Sequence, residues 1–150
     1  MHPKTLILPA QPEDTQFLAS LRSGGYQLEQ TMLGYLEGSY SPRFAQGDRA
    51  VFVAWFETQR AGYVAGHRTT RFGCEGELQW LNVAEAFRGK GVADALIQRV
   101  LDWFLSNSIF KVCVNVDPDN IAGRKVYFRN GASELDSHWL IWLDLRKKQS

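Results

Sequence analysis

Residues 77–105 read as a strand, a glycine turn and then the strongest helix in the chain, and this run limits how the rest can fold. In the helix, placed at 91–105, Val92, Leu96, Val100 and Trp103 form one apolar stripe, with Ala93, Ile97, Leu101 and Phe104 beside it. The strand at 77–83 delivers the chain into Arg88-Gly89-Lys90-Gly91-Val92-Ala93. A strand that enters a glycine turn and a helix N-terminus exposes several unpaired backbone N–H groups. Those groups and the positive end of the helix dipole bind phosphate or pyrophosphate well. Gly89 and Gly91 allow close backbone approach, and Arg88 and Lys90 add charge. An ordinary strand-to-helix connection can carry the same two glycines.

The remaining segments read as strands and helices around that unit. A short strand covers residues 5–8, and Pro12-Glu13-Asp14 opens a helix through about residue 21, with acids in its first turn. Gly24-Gly25 breaks it, and a second helix at 27–36 carries Leu28, Met32 and Leu36 at spacing four. Residues 38–48 read as loop. A hairpin follows, with strands at 50–56 and 61–65 around a turn at 57–60, and residues 66–76, polar with three glycines, predict a second turn. Beyond the central helix come a strand at 112–116, a helix at 120–129 with Gly131 at the C-cap position, and a hairpin of 132–135 and 139–145. The order β-α-α-β-β-β-α-β-α-β-β predicts one domain over residues 1–150. Its class is α+β (mixed α/β), a mostly antiparallel twisted sheet of six to seven strands flanked by about four helices.

One domain also suits 150 residues of which 45% are apolar and 13% aromatic, enough to bury roughly 70% of the unfolded surface without a metal or disulfide. A net charge of +1 argues against a strongly basic nucleic-acid binder and leaves room for a local basic patch. The apolar run 6–8 is too short for a signal peptide or a membrane span. Cys74 and Cys113 sit in no paired motif, so reduced thiols in a cytoplasmic protein are expected. His2, His67 and His138 show no ligand spacing, so no metal site is expected. There is no P-loop and no G-x-S-x-G elbow, and Asp94 stands where a dinucleotide fingerprint needs its third glycine. Trp139 and Trp142 fall on opposite faces of the last strand, so at most one lines a pocket, and Arg146-Lys147-Lys148 reads as a solvated tail.

Two short patterns narrow the reading. Arg88, Gly91 and Ala93 have the spacing Arg-x-x-Gly-x-Ala, five residues beyond a strand ending Leu81-Asn82-Val83. Downstream, Asn120, Tyr127 and Gly131 follow at intervals of seven and four. The chain resembles the Gcn5-related N-acetyltransferase family, which carries both patterns in this order, and the predicted elements fit from end to end. It departs from the family pattern at Glu85, where proline is frequent, and at Ala132, where an aromatic is usual. Glu85 would alter the electrostatics at the cofactor's edge.

The resemblance implies an N-acetyltransferase that moves the acetyl group of acetyl-CoA to a primary amine, on a small molecule or a peptide, by direct attack in a ternary complex and without a metal. It puts the pyrophosphate on the backbone N–H groups of Arg88, Gly89, Lys90, Gly91, Val92 and Ala93. The pantetheine arm pairs with Leu81, Asn82 and Val83 like an added strand. The Val83 N–H would face the acetyl carbonyl, where a fixed donor for the oxyanion is worth about 3 kcal/mol. Asn120 caps its helix and can also bond pantetheine. Tyr127 is the implied general acid, since a phenol with pKa near ~10 can share its proton with a thiolate near ~8.5. An alkyl amine with pKa near ~10.4 must lose a proton before it attacks. Glu77, on the face expected to hold Gln79, Leu81 and Val83, is the implied base, with Glu75 or a water chain as substitutes. A core tyrosine and a solvated strand-edge carboxylate are the plain readings of Tyr127 and Glu77.

By the same resemblance, the acceptor is held by residues 22–49 and 134–142. Tyr26, Glu29, Tyr35, Glu37, Tyr40 and Phe44 would give a partly aromatic, partly acidic pocket suited to a cationic amine, and surface scatter would look the same. The last hairpin offers a surface for a homodimer, and neither nucleic acid nor membrane is an expected partner. A non-catalytic CoA or acyl-CoA-binding module of the same fold is the alternative function.

Overall fold

The computed structural model describes residues 5–22 and 25–147. His2, Gly24 and Lys148, named above, lie outside the described residues. Seven strands form one sheet: β1 (Thr5–Pro9), β2 (Ala45–Phe56), β3 (Gln59–Thr69), β4 (Gly76–Val83), β5 (Val112–Asn115), β6 (Ser133–Glu134) and β7 (Trp139–Trp142). Their spatial order is β1-β2-β3-β4-β5-β7-β6. Only β4 and β5 run parallel; the other neighbours are antiparallel. The helices are α1 (Thr15–Ser20), α2 (Gly25–Glu37), α3 (Val92–Ser106) and α4 (Ile121–Arg129).

Strand alternation divides the core in two. In β2, Phe52 and Ala54 face α3, joining Leu96, Val100 and Phe104, while Val51 and Val53 face α1 and α2, joining Leu18, Met32 and Tyr35. Trp142 belongs to the α3 side, and Trp139 packs on the other face against Cys74, Cys113 and Ile141. The two cysteines, 39 positions apart in sequence, are buried free thiols in one small cluster. Among the described residues no helix is long and apolar enough to cross a membrane.

Several segments differ from the sequence reading. β3 continues to Thr69 rather than ending at 65, because Gly66 lets the Phe104 ring approach and His67 is buried beneath α2. β2 begins at Ala45, inside the expected loop. The first helix opens as a 3-10 turn, Pro12–Asp14, where the Asp14 carboxylate accepts the Gln11 N–H at 2.7 Å.

The largest difference lies within β4. Leu78 pairs with Gly66 and Trp80 with Ala65, so Gln79 is an extra residue, a bulge. Alternation resets there. Leu78, Leu81 and Val83 face α3, whereas Glu77, Trp80 and Asn82 face the α1/α2 side. The expectation that Glu77 shares a face with Leu81 and Val83 is therefore corrected. β4 pairs with β5 only over Gly76–Leu78 and Val112–Val114, and beyond that point the two strands part.

Gly62, opposite Val83, tests how tightly this region is set. A Cβ there would sit 2.6 Å from the Asn82 carbonyl oxygen and 3.2 Å from a Leu96 methyl. Gly62→Ala is expected to destabilise the fold by about 1–3 kcal/mol, read as a lower urea midpoint at unchanged m-value.

Candidate active site

The N-terminus of α3 leaves its first backbone donors uncapped. Gly91 is its N-cap at φ +81°, and no side chain caps the helix. The first helical N–H with a partner is that of Ala95, bonded to Gly91 O at 3.1 Å. The N–H groups of Val92, Ala93 and Asp94 point out of the helix end. Gly89, at φ +76°, shares the left-handed conformation that a side chain disfavours. Asp94 would repel a phosphate, but Arg129 clamps its carboxylate at 3.0 and 2.9 Å, and Asn130 adds a third bond at 2.8 Å. The Arg129 hydrogen bonds hold the Asp94 carboxyl below its ordinary pKa, so the pair stays ionic.

A cavity of about 620 Å³ adjoins this helix end. Of the residues expected to hold the cofactor, Leu81, Asn82, Val83, Arg88, Gly89, Gly91, Val92, Ala93 and Asn120 line it. Lys90 does not: its ammonium lies 5.9 Å from the Phe56 ring centroid, where cation–π attraction holds it. Arg88 is exposed and donates its Nε–H to Val83 O at 3.3 Å. Ala84 donates its N–H to Ala61 O across to β3, so alternation turns the N–H groups of Val83 and Leu81 toward the gap left by β5. Helix-end donors, an open strand edge and the Arg88 cation together fit a long phosphate-bearing thioester such as acetyl-CoA.

A second cavity, of about 410 Å³, continues from the first and shares Leu81, Asn120 and Gly123 with it. Glu77 and Tyr127 both line it, so the bulge and the splay bring together two groups from opposite faces of the sheet. The Tyr127 ring stands edge-on to Trp142, 6.0 Å between centroids. Burial raises its pKa and the Arg22 charge opposes that, so the phenol stays protonated at neutral pH. Asn120 caps α4 by accepting the Gly123 N–H at 3.0 Å.

Glu77 is buried and tied at 2.9 Å to the Arg71 guanidinium, which is held between the Phe44 and Trp139 rings. Burial raises the Glu77 pKa, and Arg71 pulls it back. His67, opposite Glu77 across the strands, places Nε2 3.8 Å from the carboxylate, beyond hydrogen-bond reach. Its Nδ1 shares a 2.9 Å bond with the Tyr35 hydroxyl. Burial, then the Arg49 and Arg71 charges, lower the His67 pKa to about 4, so the ring is neutral. The substitute base is engaged elsewhere: Glu75 accepts the N–H groups of Phe110 and Lys111 at 2.8 and 3.2 Å and does not line the cavity.

The expected acceptor pocket is not assembled as anticipated. Tyr35 is a core residue, three positions from Met32 on the inner face of α2, and Tyr26 is 74% exposed. Tyr26, Glu29, Tyr35, Glu37, Tyr40 and Phe44 are all absent from the lining of the second cavity. Phe44 reaches the site indirectly, through Arg71. Arg22, Arg71, His67 and Arg129 were not singled out by sequence for the site. Gly123 had a signal, a glycine in a first helical turn three residues after an N-cap asparagine: a Cβ there would lie 2.6 Å from the Asn120 side chain. Among the described residues no group of three His, Cys, Asp or Glu side chains could hold a metal ion.

No curated protein sequence matches the chain. Solved structures share its fold. Ard1 from Thermoplasma volcanium superposes with a TM-score of 0.71 at 18% identity, covering 94% of this chain and 98% of the other. The PaiA N-acetyltransferase from Thermoplasma acidophilum, solved in complex with coenzyme A, gives a TM-score of 0.68 at 12% identity, covering 91% and 96%. A chimera of the spermidine N-acetyltransferase SpeG from Vibrio cholerae gives 0.68 at 16% identity, covering 93% and 95%. The model of the Acetyltransferase (GNAT) family matches residues 16–132, more than half of the chain, and the chain belongs to that family.

Proposed function

We propose that this acetyltransferase moves the acetyl group of acetyl-CoA to the nitrogen of a primary amine, both substrates being bound at once. The observation that carries the reading is the splay of β4 from β5, which joins the α3 N-terminus, the Leu81–Val83 backbone, Tyr127 and Glu77 along one continuous cleft. Acetyl-CoA supplies a thioester carbon open to attack and a thiolate leaving group.

The chain's own groups then divide the work. The N–H groups of Val92, Ala93 and Asp94 hold pyrophosphate oxygens, with Arg88 nearby as counter-charge. Leu81 and Val83 pair with the extended arm through their free backbone edge. The Val83 N–H donates to the oxygen on which charge develops as nitrogen bonds to carbon. Glu77, made more basic by burial, takes the amine proton directly or through water. As the carbon–sulfur bond breaks, the Tyr127 hydroxyl gives its proton to the departing sulfur, and the phenolate recovers a proton from solvent.

Calorimetric titration with acetyl-CoA, beside CoA, ATP and NAD, tests the first half. Gly91→Glu is expected to weaken acetyl-CoA binding about tenfold or more, because it sets a like charge at the anion site and a side chain at φ +81°. Binding unaffected by that change, or no binding of any CoA species, removes the reading.

Thiol release over a panel of amines tests the second half; spermidine belongs in the panel because a structural neighbour acts on it. Tyr127→Phe is expected to lower kcat about a hundredfold or more while leaving the acetyl-CoA affinity nearly unchanged. Acetyl-CoA binding without thiol release from any amine would favour a non-catalytic binding module.

The pH profile of kcat/KM tests Glu77. Its raised pKa puts the acidic limb above the ordinary value of 4.5, with activity rising as pH climbs through it. Arg71 holds that pKa down, so Arg71→Gln is expected to move the limb to higher pH, and Glu77→Gln to abolish it. A limb that stays in place in both variants rules Glu77 out as the base.

A further inference from the structure

The charges around the second cavity do not suit a plain alkyl cation. Glu77, the buried carboxylate, already has Arg71 as its ionic partner at 2.9 Å. Asp117, also on the lining, keeps one carboxylate oxygen on the Asp119 N–H at 2.8 Å and leaves the other open. Arg22, at the end of the turn that follows α1, lines the same cavity and forms no ion pair with an acid among the described residues. Its guanidinium lies close enough to Tyr63 and Tyr127 to act on both phenols electrostatically. Among the described residues the cavity therefore presents one cation without an acidic partner, Arg22, and one carboxylate oxygen of Asp117 without a donor, beside the Tyr127 hydroxyl.

We propose that the acceptor is a free α-amino acid, acetylated on its α-nitrogen, with its carboxylate held by the Arg22 guanidinium. This rests on the transfer reading above. With the nitrogen beside Tyr127, the substituents on the adjoining carbon fall next to Arg22, and a planar guanidinium pairs with a carboxylate through two parallel hydrogen bonds. The ammonium, before it is deprotonated, finds the Glu77 and Asp117 side of the cavity. An alkyl diamine would bring its second cation against Arg22, a like-charge contact in a half-enclosed site. A peptide N-terminus has an amide where the amino acid has its carboxylate, so it leaves the guanidinium unpaired.

The test separates binding from turnover. Alanine, leucine and phenylalanine are titrated by calorimetry into the protein, with and without CoA. Beside them run the decarboxylated amines ethylamine, isoamylamine and phenethylamine, and leucinamide. At least one amino acid is expected to bind about tenfold or more tightly than its decarboxylated partner and its amide. Arg22→Gln is expected to erase that preference, and Arg22→Lys, which keeps the charge but not the fork, to restore part of it. Arg22 is exposed and outside both cores, so these variants are expected to retain the wild-type unfolding midpoint. Equal binding of acids, amines and amide, a preference that survives Arg22→Gln, or no binding of any amino acid overturns the proposal. Thiol release from acetyl-CoA is then followed with the same compounds. Arg22-dependent amino acid binding without thiol release would fail the transfer reading and leave this inference standing. Thiol release with no preference for the carboxylate would do the reverse.

Discussion

Two parallel strands held together over Gly76–Leu78 and Val112–Val114 and then released leave rows of backbone donors and acceptors without a partner strand. Such groups need partners, and an extended ligand can provide them. The release is forced from both sides. On one side the Gln79 bulge turns β4 and increases its twist; on the other β5 is short and gives way at Asn115 to the turn that leads to α4. Everything proposed for this molecule uses the gap: the α3 N-terminus at its mouth, Tyr127 from one face and Glu77 from the other.

The bulge also explains an electrostatic arrangement. By resetting alternation it puts Glu77 among Tyr35, His67 and Arg71 rather than beside Leu81 and Val83. A carboxylate there has its charge partly matched by Arg71, while the neighbouring imidazole is kept neutral by burial and by two arginines. Removing Arg71 alone would leave a buried acid without its ionic partner, the costlier way to disturb such a pair.

Much of the architecture was readable in the amino acids. The α3 stripe, the hairpin of β2 and β3 and the Arg88–Ala93 turn follow from periodicity, turn chemistry and glycine placement, which are local properties. The bulge at Gln79 was not readable, because Glu77-Leu78-Gln79-Trp80-Leu81 fits an unbroken alternation as well as a broken one. Only the pairing with β3 decides between them. Tyr35 misled for a related reason: an aromatic on an amphipathic helix suits a pocket and a core equally, and the buried His67 opposite it settles the matter. Arg22 carried no signal, since its meaning comes from the two phenols beside it, 41 and 105 positions away in the chain. Lys90 looked like a phosphate ligand from sequence adjacency alone, but the turn aims it at Phe56.

The divided sheet also has a history in time. β2, β3 and β4 follow one another through short connections and can assemble from segments close in sequence. β5 must first close a loop containing the whole of α3, and β7 and β6 can dock only afterwards. A chain emerging from the ribosome N-terminus first thus completes β4 before α3 and β5 exist to cover it. During that interval the Leu81–Val83 edge is a bare strand edge, open to pairing with any neighbouring chain. The feature that makes a binding cleft in the finished molecule is, in the nascent one, a route to aggregation.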